Sequence, residues 1–210
     1  MNEVHMIELL TDGQPGKKIM QGQSQRHYTL DDYFGIEESS EIKHEFFNGE
    51  IFAMSGASRN HNRIARNLLT ALSVELKGTT CEPFSTDMRV RTQSGLYTYP
   101  DVLVVCGKIE ITNDPLETIT NPVVLVEVLS DSTRDYDRGE KFTQYRTITT
   151  LKEYVLIEQS QPGVEHWHLN ADSKWELERH LSLNGVLQLQ SVQFNVSLTE
   201  VYDHVEFAAS

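Results

Sequence analysis

The segment Pro122-Val123-Val124-Leu125-Val126-Glu127-Val128-Leu129 limits what this chain can fold into more than any other stretch, because it is nearly all apolar. Hydrophobic residues in both alternating sets read as a strand covered on both faces, the kind that lies in the middle of a sheet between helices. Glu127 falls inside it. An isolated carboxylate buried there would cost several kcal/mol or take up a proton, so something must compensate it. Asp101 repeats the anomaly by opening the apolar run Val102-Leu103-Val104-Val105. If the two strands are neighbours, both acids can converge on one divalent cation. The competing reading makes Glu127 half of a buried ion pair and Asp101 a turn residue at a strand edge.

The patterns around these strands fill in a fold class. Residues 1–26 are polar and lack a sustained period, and are expected to form an arm ahead of one domain spanning 27–207. Thr29 ahead of Asp31 and Asp32 marks the start of a short helix, and Asn48-Gly49 between two short apolar pieces marks a hairpin. Between 60 and 77, Ile64, Leu68, Ala71, Leu72 and Leu76 recur at three-to-four spacing, with Gly78 as a stop. That is an amphipathic helix. Strands are expected at 87–92, 99–106, 122–130 and 153–158, with a helix at 134–147 between the last two. Alternating stretches at 164–169 and 174–181 read as an antiparallel hairpin. The order predicts an α/β or α+β domain, a mixed central sheet flanked by helices with an added C-terminal β-hairpin.

A chain of 210 residues with 39% hydrophobic content can bury one sizeable core. Its formal charge of −13 weighs against tight binding of nucleic acid by the metal-free protein, because such affinity comes mostly from Lys and Arg. The basic residues are clustered, however. Arg59, Arg63 and Arg66 form a stripe at the start of the long helix with His61 beside it, and Arg89 and Arg91 share one strand face. Either set could contact phosphates, or be solvated or paired with the acidic excess. No apolar run reaches eighteen residues and no secretory pattern opens the chain, so a cytoplasmic protein without membrane partners is expected. Cys106 lies in an apolar run, which suggests a buried thiol and no disulfide framework. His166 and His168 flank Trp167 like half of a zinc site, with no convincing Cys/His pair to complete it. A Gly-rich phosphate loop and a Gly-Xaa-Ser-Xaa-Gly elbow are both absent, which argues against a nucleotide-dependent enzyme or a serine hydrolase.

A third element joins the two acids. Ser130-Asp131-Ser132-Thr133 supplies capping residues for the next helix, which carries Asp137, Lys141 and Tyr145 at successive i, i+4 positions. The plain alternative is an exposed Asp137–Lys141 salt bridge. Taken with Glu45-Phe46-Phe47-Asn48-Gly49-Glu50, His61 with Ile64, Pro100-Asp101-Val102, Glu127 through Thr133 and Glu153-Tyr154, these pieces resemble the PD-(D/E)XK nuclease superfamily. The similarity is greater still to its Uma-type group of restriction endonucleases. The superfamily pattern would place a lysine where this chain has Leu129, and the resemblance moves that role to Lys141.

The resemblance implies a restriction endonuclease-like fold and a phosphodiesterase site using Mg²⁺ or Mn²⁺. Asp101, Glu127 and the backbone carbonyl of Val128 would be metal ligands, with Glu45 as a third acid. Lys141 would orient or deprotonate the attacking water, or stabilise the pentavalent phosphate. His61, Arg63, Arg89 and Tyr145 are candidates for substrate contact. The expected activity is metal-dependent endonucleolytic cleavage of DNA, by a homodimer because two strands suit two symmetric sites. The alternative is a catalytically silent protein of nuclease fold that binds a partner through its acidic surface.

Overall fold

The structure, a computed structural model, describes residues 27–207, and the arm expected at 1–26 lies outside the described residues. Helix α1 (Leu30–Ser39) begins at a capping box, in which Thr29 Oγ1 accepts from the Asp32 N–H at 3.1 Å and Asp32 Oδ2 accepts from the Thr29 N–H at 2.9 Å. Strands β1 (His44–Phe47) and β2 (Glu50–Ala53) form the hairpin expected at Asn48-Gly49. Both turn residues take left-handed φ values, 49° and 80°, which suit the twist of the flanking strands. Ser58 caps α2 (Arg59–Glu75), which buries Ile64, Leu68, Ala71 and Leu72 along one stripe as their spacing predicts.

Strands β3 (Cys81–Ser85), β4 (Arg89–Arg91), β5 (Tyr97–Thr98), β6 (Val102–Cys106), β7 (Thr118–Ile119) and β8 (Val124–Leu129) follow. A helical stretch then runs through α3 (Arg134–Tyr136), a π turn at Asp137–Lys141 and α4 (Phe142–Tyr145) to β9 (Glu153–Glu158). The expected hairpin is β10 (Val164–Leu169) with β11 (Trp175–His180), and β12 (Val186–Leu189), β13 (Phe194–Ser197) and α5 (Leu198–Val201) come last.

A six-stranded sheet has the order β11-β10-β9-β8-β6-β3, with β8 and β9 parallel and the other neighbours antiparallel. The parallel pair needs a crossover, and the helical stretch after β8 supplies it. A five-stranded sheet has the order β2-β1-β5-β4-β7, its strands interleaved in sequence with those of the first, and among the described residues β12 pairs only with β13. Every residue of β8 is buried. Because successive side chains of a strand point to opposite faces, Val124, Val126 and Val128 pack with the α2 stripe, while Leu125 and Leu129 pack with Phe142 and Tyr145 of α4. Glu127 has the parity of the second set. Its place in the pleat therefore aims it at the helix that carries Lys141.

Several expectations need correction. The strand expected at 87–92 shrinks to three residues and belongs to the smaller sheet, and the helix at 134–147 is broken by the π turn. Cys106 is not a free thiol: the β3–β6 register sets it opposite Cys81, and the two form a disulfide. Nothing in the spacing of two cysteines reveals a strand register. Among the described residues, no helix is long and apolar enough to cross a membrane.

Arg89 is also corrected, from a candidate phosphate contact to a core residue that is 2% exposed. Its guanidinium donates to Thr118 Oγ1 at 2.8 Å, to the Leu116 carbonyl at 2.9 Å and to the Tyr99 hydroxyl at 3.4 Å, with Glu37 Oε2 at 4.0 Å. The rings of Tyr33, Phe34, Tyr97 and Tyr99 surround it at 5.1–5.9 Å from their centroids. The short strand β4 points this side chain into the layer beneath α1, where a strand lying on a flat outer face would have shown it to solvent.

Removing one partner of such a cluster strands the others, so Arg89→Ala should lower stability by about 3–5 kcal/mol in urea unfolding. Arg89→Lys should also be destabilised, because an ammonium cannot reproduce the planar fork of donors. An Arg89→Ala protein with the wild-type midpoint and weakened DNA binding would return this residue to the substrate face.

Candidate active site

Four elements bring one lysine and four acids together. Glu45 comes from the middle of β1, and Asp101 from the bend that precedes β6. Glu127 comes from β8, and Asp137 with Lys141 from the π turn. An α-helix already sets i and i+4 on one face, and a π turn at this point is a feature often found at functional sites.

Lys141 is the hub. Its Nζ lies 2.9 Å from Glu45 Oε1, 2.9 Å from Glu127 Oε1 and 3.6 Å from Asp137 Oδ1, and its side chain is almost wholly buried. The exposed Asp137–Lys141 bridge considered from the sequence is thus a buried network. Glu45 also accepts a hydrogen bond from Thr98 Oγ1, and Glu127 Oε1 accepts one from the Tyr145 hydroxyl at 2.6 Å. Tyr145 is fully buried, so it holds Glu127 and does not face a substrate, contrary to expectation.

Asp101 is tied in from the other side. Its Oδ2 accepts from the Val128 N–H at 2.7 Å, where the β6–β8 ladder has just ended at Val102 and Val126. The side chain thereby continues the ladder and sits beside Glu127. Its Oδ1 is 2.7 Å from His61 Nε2, on the first turn of α2. Arg63 instead bridges to Glu206 at 3.2 Å, and Arg66 bonds to Asn67, so neither reaches the acids in this structure.

The charges do not balance. Burial pushes the Glu127 carboxyl up to about 8, Lys141 opposes it, and the nearby Asp137 and Asp101 add to the rise. Burial also raises Asp137. Burial works against the Lys141 ammonium, yet Glu127, Tyr145, Glu45 and Asp137 outweigh it and hold its pKa well above lysine's ordinary value. For Glu45 burial is likewise overcome, by Lys141 and by hydrogen bonds from Thr98, Lys141 and Tyr136, and its carboxyl is lowered. One cation thus faces more acid than it can neutralise.

That excess suits a hard divalent ion. Among the described residues, no three His, Cys, Asp or Glu side chains already form a metal cage. Asp101, Glu127 and the Val128 carbonyl would offer such an ion only oxygen donors, the chemistry that Mg²⁺ or Mn²⁺ prefers with waters in the remaining positions. Of the residues now in the cluster, Thr98 and Tyr136 had no signal in the sequence. The buried status of Asp137 was concealed by its ordinary i, i+4 spacing to Lys141.

Comparison with known proteins identifies the family and the fold. The family model Uma2, "Putative restriction endonuclease", matches residues 30–200. The uncharacterized protein sll1609 of Synechocystis sp. is 38% identical over 161 residues, covering 76% of this chain and 91% of that protein. A second Synechocystis protein, slr1290, is 34% identical over 180 residues, covering 84% and 92%. The crystal structure of a protein from Anabaena variabilis, described as a "putative nuclease belonging to DUF820", superposes with a TM-score of 0.67 at 16% identity, over 83% of this chain and 97% of that one. That likeness shows a shared fold. With the match running from α1 to α5 and through every element of the cluster, the chain belongs to the Uma2 family.

Proposed function

We propose that this protein is a metal-dependent endonuclease that hydrolyses DNA phosphodiester bonds at the cluster of Glu45, Asp101, Glu127 and Lys141. The observation that carries the reading is the Asp101–Val128 hydrogen bond, which sets a second carboxylate beside Glu127 where a lysine ammonium already touches it. The descriptions of the family and of the Anabaena protein support the same reaction class.

Asp101, Glu127 and the Val128 carbonyl would hold Mg²⁺ or Mn²⁺. When bound, the ion supplies an acidified water and neutralises charge developing on the phosphate. Lys141 is held as an ammonium, so its part is to fix Glu45 and Glu127 and to present positive charge, not to take a proton from water. His61 orients Asp101, and Tyr145 orients Glu127. A homodimer is the simplest assembly for cutting both strands. The −13 charge favours a second reading, a silent protein of the same fold that binds a basic partner.

Incubation of pure protein with supercoiled DNA and Mg²⁺ or Mn²⁺ separates the two. The wild type should nick, Asp101→Ala should not, and the metal should raise the melting temperature of the wild type alone. No nicking by the wild type with either ion favours the silent reading. An equal thermal response in Asp101→Ala would take that residue out of the metal site.

For the lysine, Lys141→Ala strands three acids and should cost about 3–5 kcal/mol of stability as well as activity. Lys141→Arg is more informative, since it keeps the charge but puts a planar fork where a compact ammonium sits. We expect it to fold, keep its thermal response to metal and lose at least about a hundredfold in nicking rate. Normal nicking would end the assignment.

Glu127 makes a pH test. With its carboxyl moved from 4.5 to about 8, the folded metal-free protein holds a proton there that the unfolded chain releases across that window. Stability should therefore fall as pH rises from about 5 to 8, and Glu127→Gln should flatten the slope. Parallel slopes for the two proteins would show that Glu127 does not titrate there.

A further inference from the structure

The face of the six-stranded sheet opposite Glu127 carries chemistry that the nuclease reading leaves unused. On β10, Val164, His166 and His168 alternate onto that face, and the strand register sets Glu153 of β9 and Glu176 of β11 on either side of His168. Val155 and Ile157 share this face with Glu153 and pack into the cluster built around α2, whereas Tyr154 and Leu156 pack on the α4 side with Tyr145.

His166 is 2% exposed. Its Nε2 lies 2.5 Å from Glu153 Oε2, and the other oxygen of Glu153 accepts from the Ser191 N–H at 2.7 Å and its hydroxyl at 2.5 Å. The Nε2 of His168 lies 3.7 Å from Glu176 Oε2. On both rings the other nitrogen, Nδ1, is buried and has no hydrogen-bond partner among the described residues. A buried ring nitrogen left bare is costly unless something else meets it.

The carboxylate of Glu153 at His166 Nε2 fixes the proton there and leaves the lone pair on Nδ1, the arrangement found behind metal-bound histidines, whereas Glu176 lies beyond hydrogen-bond distance of His168. The two ring centroids are 5.2 Å apart. Imidazoles sharing one tetrahedral ion at a metal–nitrogen distance of about 2.0–2.1 Å have centroids separated by about 5 Å. A cavity of about 690 Å³ lined by Lys152, Glu153, His168, Gln190 and Ser191 opens beside His168.

We propose that His166 and His168 form a second, nitrogen-donor metal site for a late first-row divalent ion such as Zn²⁺ or Cu²⁺, separate from the carboxylate cluster on the other face. Imidazole donors favour these ions over Mg²⁺, so the two sites take different metals. Among the described residues, no group of three or more His, Cys, Asp or Glu side chains is already arranged to hold a metal, so Glu153 and Glu176 stay on the far side of the rings and water would fill the remaining positions.

The test uses untagged protein carrying Asp101→Ala, which disables the carboxylate cluster, with the untagged wild type alongside. Equilibrium dialysis should find one Zn²⁺ per chain in the Asp101→Ala protein, and its Cu²⁺ complex should show electron-spin coupling to two nitrogens, where the carboxylate cluster could offer only that of His61. Adding His168→Ala, or the more conservative His168→Asn, should weaken binding at least about tenfold, since even an outer-shell partner of a metal ligand is worth that much. His168 is partly exposed, so these variants are expected to fold, and circular dichroism checks that they do. Zn²⁺ binding unchanged in both His168 variants, coupling to fewer than two nitrogens, or no Zn²⁺ bound by the folded Asp101→Ala protein would overturn the proposal. None of these results depends on whether the protein cuts DNA.

Discussion

The buried ammonium of Lys141 is the contact on which the rest of the site depends. It touches Glu45 from the smaller sheet, Glu127 from the larger one and Asp137 from its own helical turn. Without it, three carboxylates would be buried close together with no cation, and at least some would have to be protonated or return to water. With it, an acid can stand in the middle of a fully buried strand. The same Lys141 contacts that make Glu127 tolerable hold two sheets and the crossover helix in one arrangement.

The protein contains a second buried cation, and the contrast explains what each is for. Arg89 meets a hydroxyl from a threonine, one from a tyrosine, a main-chain carbonyl and four aromatic rings, with one carboxylate at 4.0 Å. Its fork of donors is matched to neutral acceptors, which is how a structural arginine is satisfied. Lys141 meets acids in excess. That leaves the cluster short of positive charge, a shortfall that a hard divalent ion with oxygen ligands would make up in the proposed nuclease.

Secondary structure serves this site in unusual ways. Asp101 replaces main chain with side chain, since its carboxylate takes the Val128 N–H just past the last β6–β8 pair. The π turn interrupts the crossover helix at the residues that carry Asp137 and Lys141. Both departures from regular geometry occur where acids must converge, in keeping with the tendency of functional sites to break local rules that the rest of the chain obeys. Elsewhere the pleat does the sorting: alternate residues of β8 and β9 go to α2 or to α4, and the Glu127 cluster and the histidine pair end up on opposite faces.

Much was determined by sequence alone. The capping box at Thr29, the Asn48-Gly49 hairpin, the α2 stripe and the β10–β11 hairpin are local, because each is specified by residues within a few positions of one another. The apolar run around Glu127 likewise required a compensated acid in a central strand, and the resemblance placed Asp101, Lys141 and Glu45 beside it. What only the tertiary structure decided concerns partners far apart in the chain. Whether Arg89 faces phosphate or core, whether Cys81 meets Cys106, and whether Tyr145 points to substrate or to Glu127 all depend on which strand lies next to which and in what register. Local propensity and periodicity report the face a residue occupies, whereas burial and charge compensation are set by what packs against that face, and that information is spread over the whole fold.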